Sequence, residues 1–586
     1  MIDFSRFQCP DNTGHSKVMS LEQAIAENVK PGMSLHLCVG QANANAAICE
    51  IARQFWGSKP DFTVYSMLFY QHGISLVYGK LVKKLVAAFI GDSYPGGSPN
   101  AVIRKAYAQK EIEIESWSIL TYVERFMAGA MGLPFMPTNS LLQSGMAEHN
   151  KGSFMEIDDP FGSGSRLGLV SAANPDLTLM HAHAADSYGN LIGTGPGAEA
   201  QWGALASKNG VVATVEKIVS SEFVRQHSHR VIVPGYLVKA VAVAPYGSHP
   251  RGITNQGAPE LATYFDDFDY LLELRDAYKT DETAGDWVNK WILGCKTHDD
   301  YLAKLGPERL RYLNSRAEPE AWRSAIRLIS EDQILATSHK PSEMMVVQAA
   351  REIHDRVIRN DLRVILAGVG VSNIAAWLAN QLLCRKQYPV ELVAEFGFFG
   401  YCPPPGDPSI HKIDNLHTAK MMTDSLQILG IHAAGTNNKC IGVLGAAQID
   451  KYGNINSTMD PGKTYFVGSG GANDVASGSR EVVVVVAQDK RRLIERVPFI
   501  TCPGTRVKTL ITDMGVFEKL GTDDEFTLTK VLPASDGATP KERVKRAKDN
   551  CGWELKIAPQ IEECAPPEPD SLSTIRLFDP HGYFIG

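Results

Sequence analysis

The chain repeats itself at long range, and this repeat constrains the fold more than any other feature. Asp186-x-Tyr188-Gly189-Asn190 is answered by Asp450-x-Tyr452-Gly453-Asn454. Downstream, Pro234-Gly235 with Val238-Lys239 is answered by Pro503-Gly504 with Val507-Lys508. The two offsets, 264 and 269 residues, are similar, and the echoes come in the same order. A length of 586 residues alone would suggest about four ordinary domains. The paired echoes instead predict one domain used twice.

The two halves also begin alike. Ser20-x-x-Gln23 reads as a capping box opening a helix with Leu21, Ile25 and Val29 on one stripe, stopped by Pro31-Gly32. An apolar strand, Leu35–Val39, then reaches Gly40. In the second half Pro341 precedes a helix with Val346, Ala350, Ile353 and Val357 at helical spacing. The strand Val364–Ala367 follows, then a glycine turn and another helix. Strand and helix alternate and the strands are continuously apolar, which predicts an α/β fold with mostly parallel sheets and flanking helices, used in tandem. A polar, helix-prone stretch, 298–333, lies between the halves. The expected division is 16–315 and 339–586, with 316–338 as linker.

Composition narrows the function classes. Charged residues make up 21% and hydrophobic ones 44%, as in a globular protein. A net charge of -7, with no long Lys/Arg block, argues against a general nucleic-acid binder. The ten cysteines are scattered without a C-x-x-C pair, which predicts reduced thiols in the cytoplasm and a core role for Cys502. No signal segment is expected in the N-terminal stretch. The longest aliphatic run, Val482–Val486, suits a buried strand and is too short for a membrane span.

Four features could carry chemistry. Gly368-x-Gly370 lacks the third glycine of a dinucleotide fingerprint, although such a turn still frees backbone amides for an anion. His181 and His183 share a strand face, so a metal pair is geometrically possible. With no third ligand in pattern, packing within a sheet is the better reading, and His227 and His229 read as surface loop residues. In "YFVGSGGANDVASGS" the small residues Gly468, Ser469, Gly470, Gly471, Ala472 and Asn473 make either an anion-binding concavity or a tight strand-to-helix turn. Finally, "PVELVAEFGFFGYCPPPG" stops a strand on Glu395 and follows it with aromatic rings and glycine. A strand-end acid usually points into water. A carboxylate facing an activated acyl group can instead act as a nucleophile if amides hold the oxyanion and rings exclude water.

The segment "LGAAQIDKYGNINSTMDPGKTYFVGSGGANDVASGSREVVVVVAQDKRR" resembles the β-subunit type of class I coenzyme A transferases, above all glutaconate CoA-transferase. "LVAEFG" falls where that family carries its catalytic Glu. "SKVMSLEQAI", "MGLPFMPTNSLLQSG" and "VAPYGSHP" resemble the α-subunit type, as if an αβ pair were fused. The resemblance implies ping-pong transfer of CoA from an acyl-CoA to a carboxylic acid, through a glutamyl anhydride and a glutamyl-CoA thioester on Glu395. It implies oxyanion donors at Gly470 and Gly471, each worth ~3 kcal/mol. It also implies substrate contacts from Gly368, Gly370, Asn373, Phe396, Ser469, Ala472 and Asn473. CoA would be a substrate, with no metal and no permanently bound cofactor, in a homo-oligomer. Three departures point away from a glutaconate-like substrate. Phe396 stands where the family has Ser or Asn, Ser372 where related chains often have Pro, and "LHLCVGQANAN" where they have G-G-F. An acyl-CoA or ring-opening hydrolase with Glu395 as general base is the alternative.

Overall fold

The computed structural model describes residues 14–40, 42–521, 524–534 and 536–586. Two large sheets organise it. In the first half seven strands run parallel in the order Glu113–Ser116, Val82–Ile90, Phe62–Phe69, Ser34–Leu37, Leu177–Ala185, Val211–Ile218, Val238–Val243. In the second half five run parallel in the order Glu391–Ala394, Val364–Ala367, Cys440–Leu444, Glu481–Val485, Val507–Ile511. From Phe62–Phe69 to Val238–Val243 the first order matches the second strand for strand, so the duplication extends to topology. The second sheet departs at its ends. Gly515–Lys519 and Phe526–Val531 extend one edge antiparallel, and Phe398–Phe399 with Met421–Met422 extend the other.

The two sequence echoes prove to be one structural device. Asp186 Oδ1 accepts the amides of Tyr188 and Asn190, and Asn190 Oδ1 accepts the Gly235 amide at 2.9 Å. In the second half Asp450 Oδ1 accepts the amides of Tyr452 and Asn454, and Asn454 Oδ1 accepts the Gly504 amide at 2.9 Å. Gly235 and Gly504 cannot carry a side chain, because a Cβ would stand 2.5 Å from the Tyr188 carbonyl and 2.1 Å from that of Tyr452. The motif therefore repeats because each half must pin the same loop to its sheet.

The helices follow from local signals. Pro341–Arg359 starts with proline at its first position and buries Val346, Ala350, Ile353 and Val357. It packs on Val371–Arg385, in which Ala375, Ala376 and Ala379 are buried. The junction forms short helices, Trp322–Ile326, which buries no residue, and Glu331–Leu335, which buries Ile334. Arg576, on the C-terminal helix Pro569–Phe578, donates to the carbonyls of Ala336 and Ser338 and pairs with Glu343. Among the described residues no helix is long and apolar enough to cross a membrane, and nine cysteines are free. Cys502 is in the core and Val482–Val486 is buried.

The halves interlock through matching loops. Ala198 and Gly470 both adopt positive φ, +44° and +52°, two residues before the seven-residue helices Ala200–Ala206 and Ala472–Gly478. The Gly470 amide donates to Ala88 at 2.9 Å, and its carbonyl accepts from Ile119 at 3.0 Å. The Ala198 amide donates to Phe396 at 3.1 Å, and its carbonyl accepts from Ser425 at 3.2 Å. Each half thus pushes one loop into the other, related by a pseudo-twofold.

Candidate active site

Glu395 sits in a tight hairpin between Glu391–Ala394 and Phe398–Phe399. The hairpin closes with the Gly397 amide donating to Ala394 at 3.1 Å, and Gly397 holds φ +117°. A Cβ there would stand 2.3 Å from the Thr423 carbonyl, so glycine is required by both conformation and space. The turn leaves Glu395 half-buried: it retains a route to solvent while protein surrounds its carboxylate. Burial pushes that carboxyl up to about 7. Asp474 adds to the rise by like charge, and the Gly471 amide N–H, donating to the carboxylate, pulls it back.

Gly471 is the closest constraint on the acid. A Cβ at Gly471 would lie 2.2 Å from Glu395 Oε2. The parallel ladder supplies the other wall. Leu366 pairs with Val393, so continuing the register sets Gly368 across from Glu395. Gly370 adopts φ +118° with no atom within 4 Å of where a Cβ would be, so the turn borders open space. Ala472 is partly exposed at the start of its helix. Gly471 thus touches the acid directly, while Gly368 and Gly370 lie in the turn after the paired central strand.

Several expected contacts are instead structural. The Gly470 amide is committed to Ala88, so the expected pair of oxyanion donors narrows to Gly471. Asn473 is a bolt: its Oδ1 accepts the Leu141 amide at 2.9 Å and its Nδ2 donates to Thr501 at 2.8 Å. Ser469 Oγ accepts the Asn473 amide and is buried. Asn373 is fully buried and donates to the Pro408 carbonyl at 3.0 Å. Phe396 stacks on His411 with centroids 3.9 Å apart and planes at 10°, so it packs the core rather than offering an acyl-binding face. Phe398 meets Tyr401, and Phe399 meets His432. These rings anchor the hairpin. Their sequence pattern was right for burial and misleading for cover, because a hairpin whose edge is paired needs its rings inward.

His181 and His183 lie in a wholly buried strand; both ring nitrogens of His181 have partners, whereas His183 is held through Nε2 alone. His181 meets Thr214 and Glu216, and His183 meets the Thr254 carbonyl and Thr194. His229 is exposed, and His227 stacks on Phe223.

Sequence reasoning missed Asp474, next to Asn473. It is buried, and its Oδ2 accepts the Leu120 amide at 2.9 Å. Burial pushes its carboxyl up to about 6, while nearby amides and the hydroxyls of Ser118 and Ser140 oppose the rise. Glu124, also buried, is raised well above the usual range by burial first and by Asp474 as well. The only available signal was an acid inside a run of small residues at a helix start. A cavity of about 270 Å³ lined by His339, Asp513, Arg543 and Arg546 shares no residue with this centre.

A strand-end carboxylate thus meets a helix-start amide at the seam of two duplicated α/β halves. The Coenzyme A transferase family matches residues 18–244 and 432–536, more than half of the chain, and the protein belongs to that family. Both chains of glutaconate CoA-transferase from Acidaminococcus fermentans are similar to it. The first is 29% identical over 318 residues, 50% of this chain and 93% of that protein. The second is 26% identical over 276 residues, 42% of this chain and 96% of that protein. The single chain thus covers both types, consistent with a fusion. An uncharacterized protein of Archaeoglobus fulgidus is 31% identical over 312 residues, 52% of this chain and 66% of its own length. The acyl-CoA transferase YdiF from Escherichia coli O157:H7, solved as a thioester complex with CoA, shares the fold over 96% of both chains, with TM-score 0.64 at 17% identity. Glu395 falls outside the matched family segments, so its role rests on geometry.

Proposed function

We propose that the protein transfers CoA from an acyl-CoA to a free carboxylic acid through covalent intermediates on Glu395. The carrying observation is the Glu395 carboxylate, half-buried in the cleft, with the Gly471 amide directed at it. A poorly solvated carboxylate is a stronger nucleophile than one in water. One oxygen attacks the thioester carbonyl, the C–S bond breaks, and CoA leaves as thiolate. The thiolate returns to the glutamyl carbonyl, expels the acyl group as carboxylate, and leaves a glutamyl-CoA thioester. The acceptor acid reverses these steps, so charge and atoms balance without an external oxidant or base. Binding of the CoA tail, remote from the reacting carbonyl, supports the strained anhydride stage. On this reading 16–315 and 339–586 are the two units, with 316–338 between them.

Incubation with acyl-CoA alone is expected to leave an adduct that borohydride or hydroxylamine traps at Glu395. A panel of dicarboxylic, aromatic and ring-derived acyl-CoAs that yields CoA turnover without any trapped adduct would contradict the covalent route. A carboxyl near 7 also suits a general base for water. Steady release of free CoA with no acceptor present selects that hydrolytic reading.

A further inference from the structure

The pseudo-twofold creates a counterpart of the reaction centre in the first half, and its occupants differ in kind. Glu199 stands where the second half has Gly471, each directly before its short helix. The Glu199 side chain turns inward. Its Oε1 accepts the Val39 amide at 2.8 Å and lies 3.5 Å from His36 Nε2. Cys38 sits beside the same ring, with Sγ 3.8 Å from Nδ1. One donor atom from each of His36, Cys38 and Glu199 lies within 4.8 Å of the others, and all three side chains are buried.

Hydrogen bonding leaves this cluster incomplete. Thr178 Oγ1 lies 3.0 Å from the Gly203 carbonyl, 2.6 Å from Ser207 Oγ and 3.0 Å from His36 Nδ1, and when its proton goes to Gly203 it accepts from His36 Nδ1–H. That tautomer points a lone pair on Nε2 toward the Glu199 carboxylate. His36 Nε2, Glu199 Oε2 and the Tyr122 hydroxyl are all buried without a partner. A lone pair facing a carboxylate in a dry interior is repulsive unless a proton or a metal cation lies between them.

We propose that His36, Cys38 and Glu199 bind a divalent transition-metal cation of zinc type, as a structural centre in the first half's counterpart of the reaction site. Imidazole, thiolate and carboxylate are zinc's usual donors. One thiolate and one carboxylate neutralise two positive charges, which a buried cation requires. The Cys38 S–H bond breaks as the S–metal bond forms, and the proton leaves to solvent. Thr178 orients the imidazole from behind, as outer partners of metal-bound histidines do. The fourth position falls to water or to the Tyr122 oxygen. Such a centre would fix Glu199 and the adjoining Ala198, whose amide holds the Phe396 carbonyl beside Glu395.

The test uses the full chain, purified without chelator from cells grown in zinc- or cobalt-supplemented minimal medium. Elemental analysis after desalting is expected to give about one metal per chain. The cobalt form is expected to show a sulfur-to-cobalt charge-transfer band and intense tetrahedral visible bands. Cys38→Ser should lose the charge-transfer band and the bound metal. If that variant does not fold, Glu199→Gln should lower metal retention while keeping the thiolate band of any residual cobalt. Wild-type protein holding less than about a tenth of an equivalent overturns the proposal, as does a charge-transfer band that persists in Cys38→Ser.

Discussion

The strand that ends on Glu395 and its counterpart in the first half show how one frame yields one reaction centre. Ser34 pairs with Thr63, and Val364 pairs with Glu391. Gly40 and Gly370, each six residues beyond the paired central-strand residue, hold nearly the same φ, +115° and +118°. On this alignment Glu395 corresponds to Met67. Met67 is fully buried, because Phe62–Phe69 runs on between Ser34–Leu37 and the long parallel strand Val82–Ile90. In the second half the outer neighbour is only the two-residue antiparallel strand Phe398–Phe399, so the chain turns at once and delivers its acid to the cleft. The facing loops complete the contrast, since Gly471 leaves room for the carboxylate and Glu199 fills the equivalent place. Duplication therefore supplied two frames, and the length of one neighbouring strand separates the frame that presents Glu395 from the one that buries Met67.

The largest expected effect comes from removing the acid. Glu395→Gln should lower the transfer rate by ~10,000-fold or more in a CoA-exchange assay, the scale seen when a nucleophile is deleted. Near-normal exchange would make the two frames functionally equivalent and end the comparison. Next comes the glycine pair. Gly471→Ala places a methyl on Glu395 Oε2 and should cost about 100-fold in kcat, as expected for a displacement near 1 Å. Gly470→Ala meets no atom within 4 Å, so it should cost only roughly 1–2 kcal/mol of stability from its positive φ and leave kcat close to wild type. Equal kinetic losses would restore Gly470 as a second oxyanion donor.

Writing the acid into the supporting frame gives a smaller, structural effect. Met67→Glu should destabilise folding by about 3 kcal/mol or more in denaturant titration and create no second trappable carboxylate. Asp474→Asn should produce the smallest change and the finest test of the electrostatics. On the proposed route Glu395 reacts as the carboxylate, so kcat/KM should rise as pH climbs through about 7. Asparagine keeps an acceptor for the Leu120 amide but removes the like charge, so Glu395 ionises more easily and the acidic limb moves to lower pH. A limb that stays in place would show that burial alone sets the acid.

Much of this was legible along the chain. Local rules acting within a few residues announced the duplicated pinning loop, the proline-started helix, the buried valine strand and the strand-end acid, because turn chemistry and apolar periodicity are local. The glycine loop was found, but its division of labour was not. Gly470 and Gly471 look interchangeable in sequence, and only the strand carrying Ala88, almost 400 residues upstream, takes one amide and leaves the other for Glu395. Phe396 and Asn473 were misread for the same reason: His411, Leu141 and Thr501 had to arrive before either side chain had a destination. By itself, the sequence determined the duplicated α/β frame and singled out the strand-end acid proposed to react, since backbone preference and burial pattern act residue by residue. The tertiary structure alone decided which amide meets that acid, which acid perturbs it and why the twin position is a buried methionine. Those outcomes depend on contacts between the halves, and hydrogen bonds and desolvation act through space rather than along the chain.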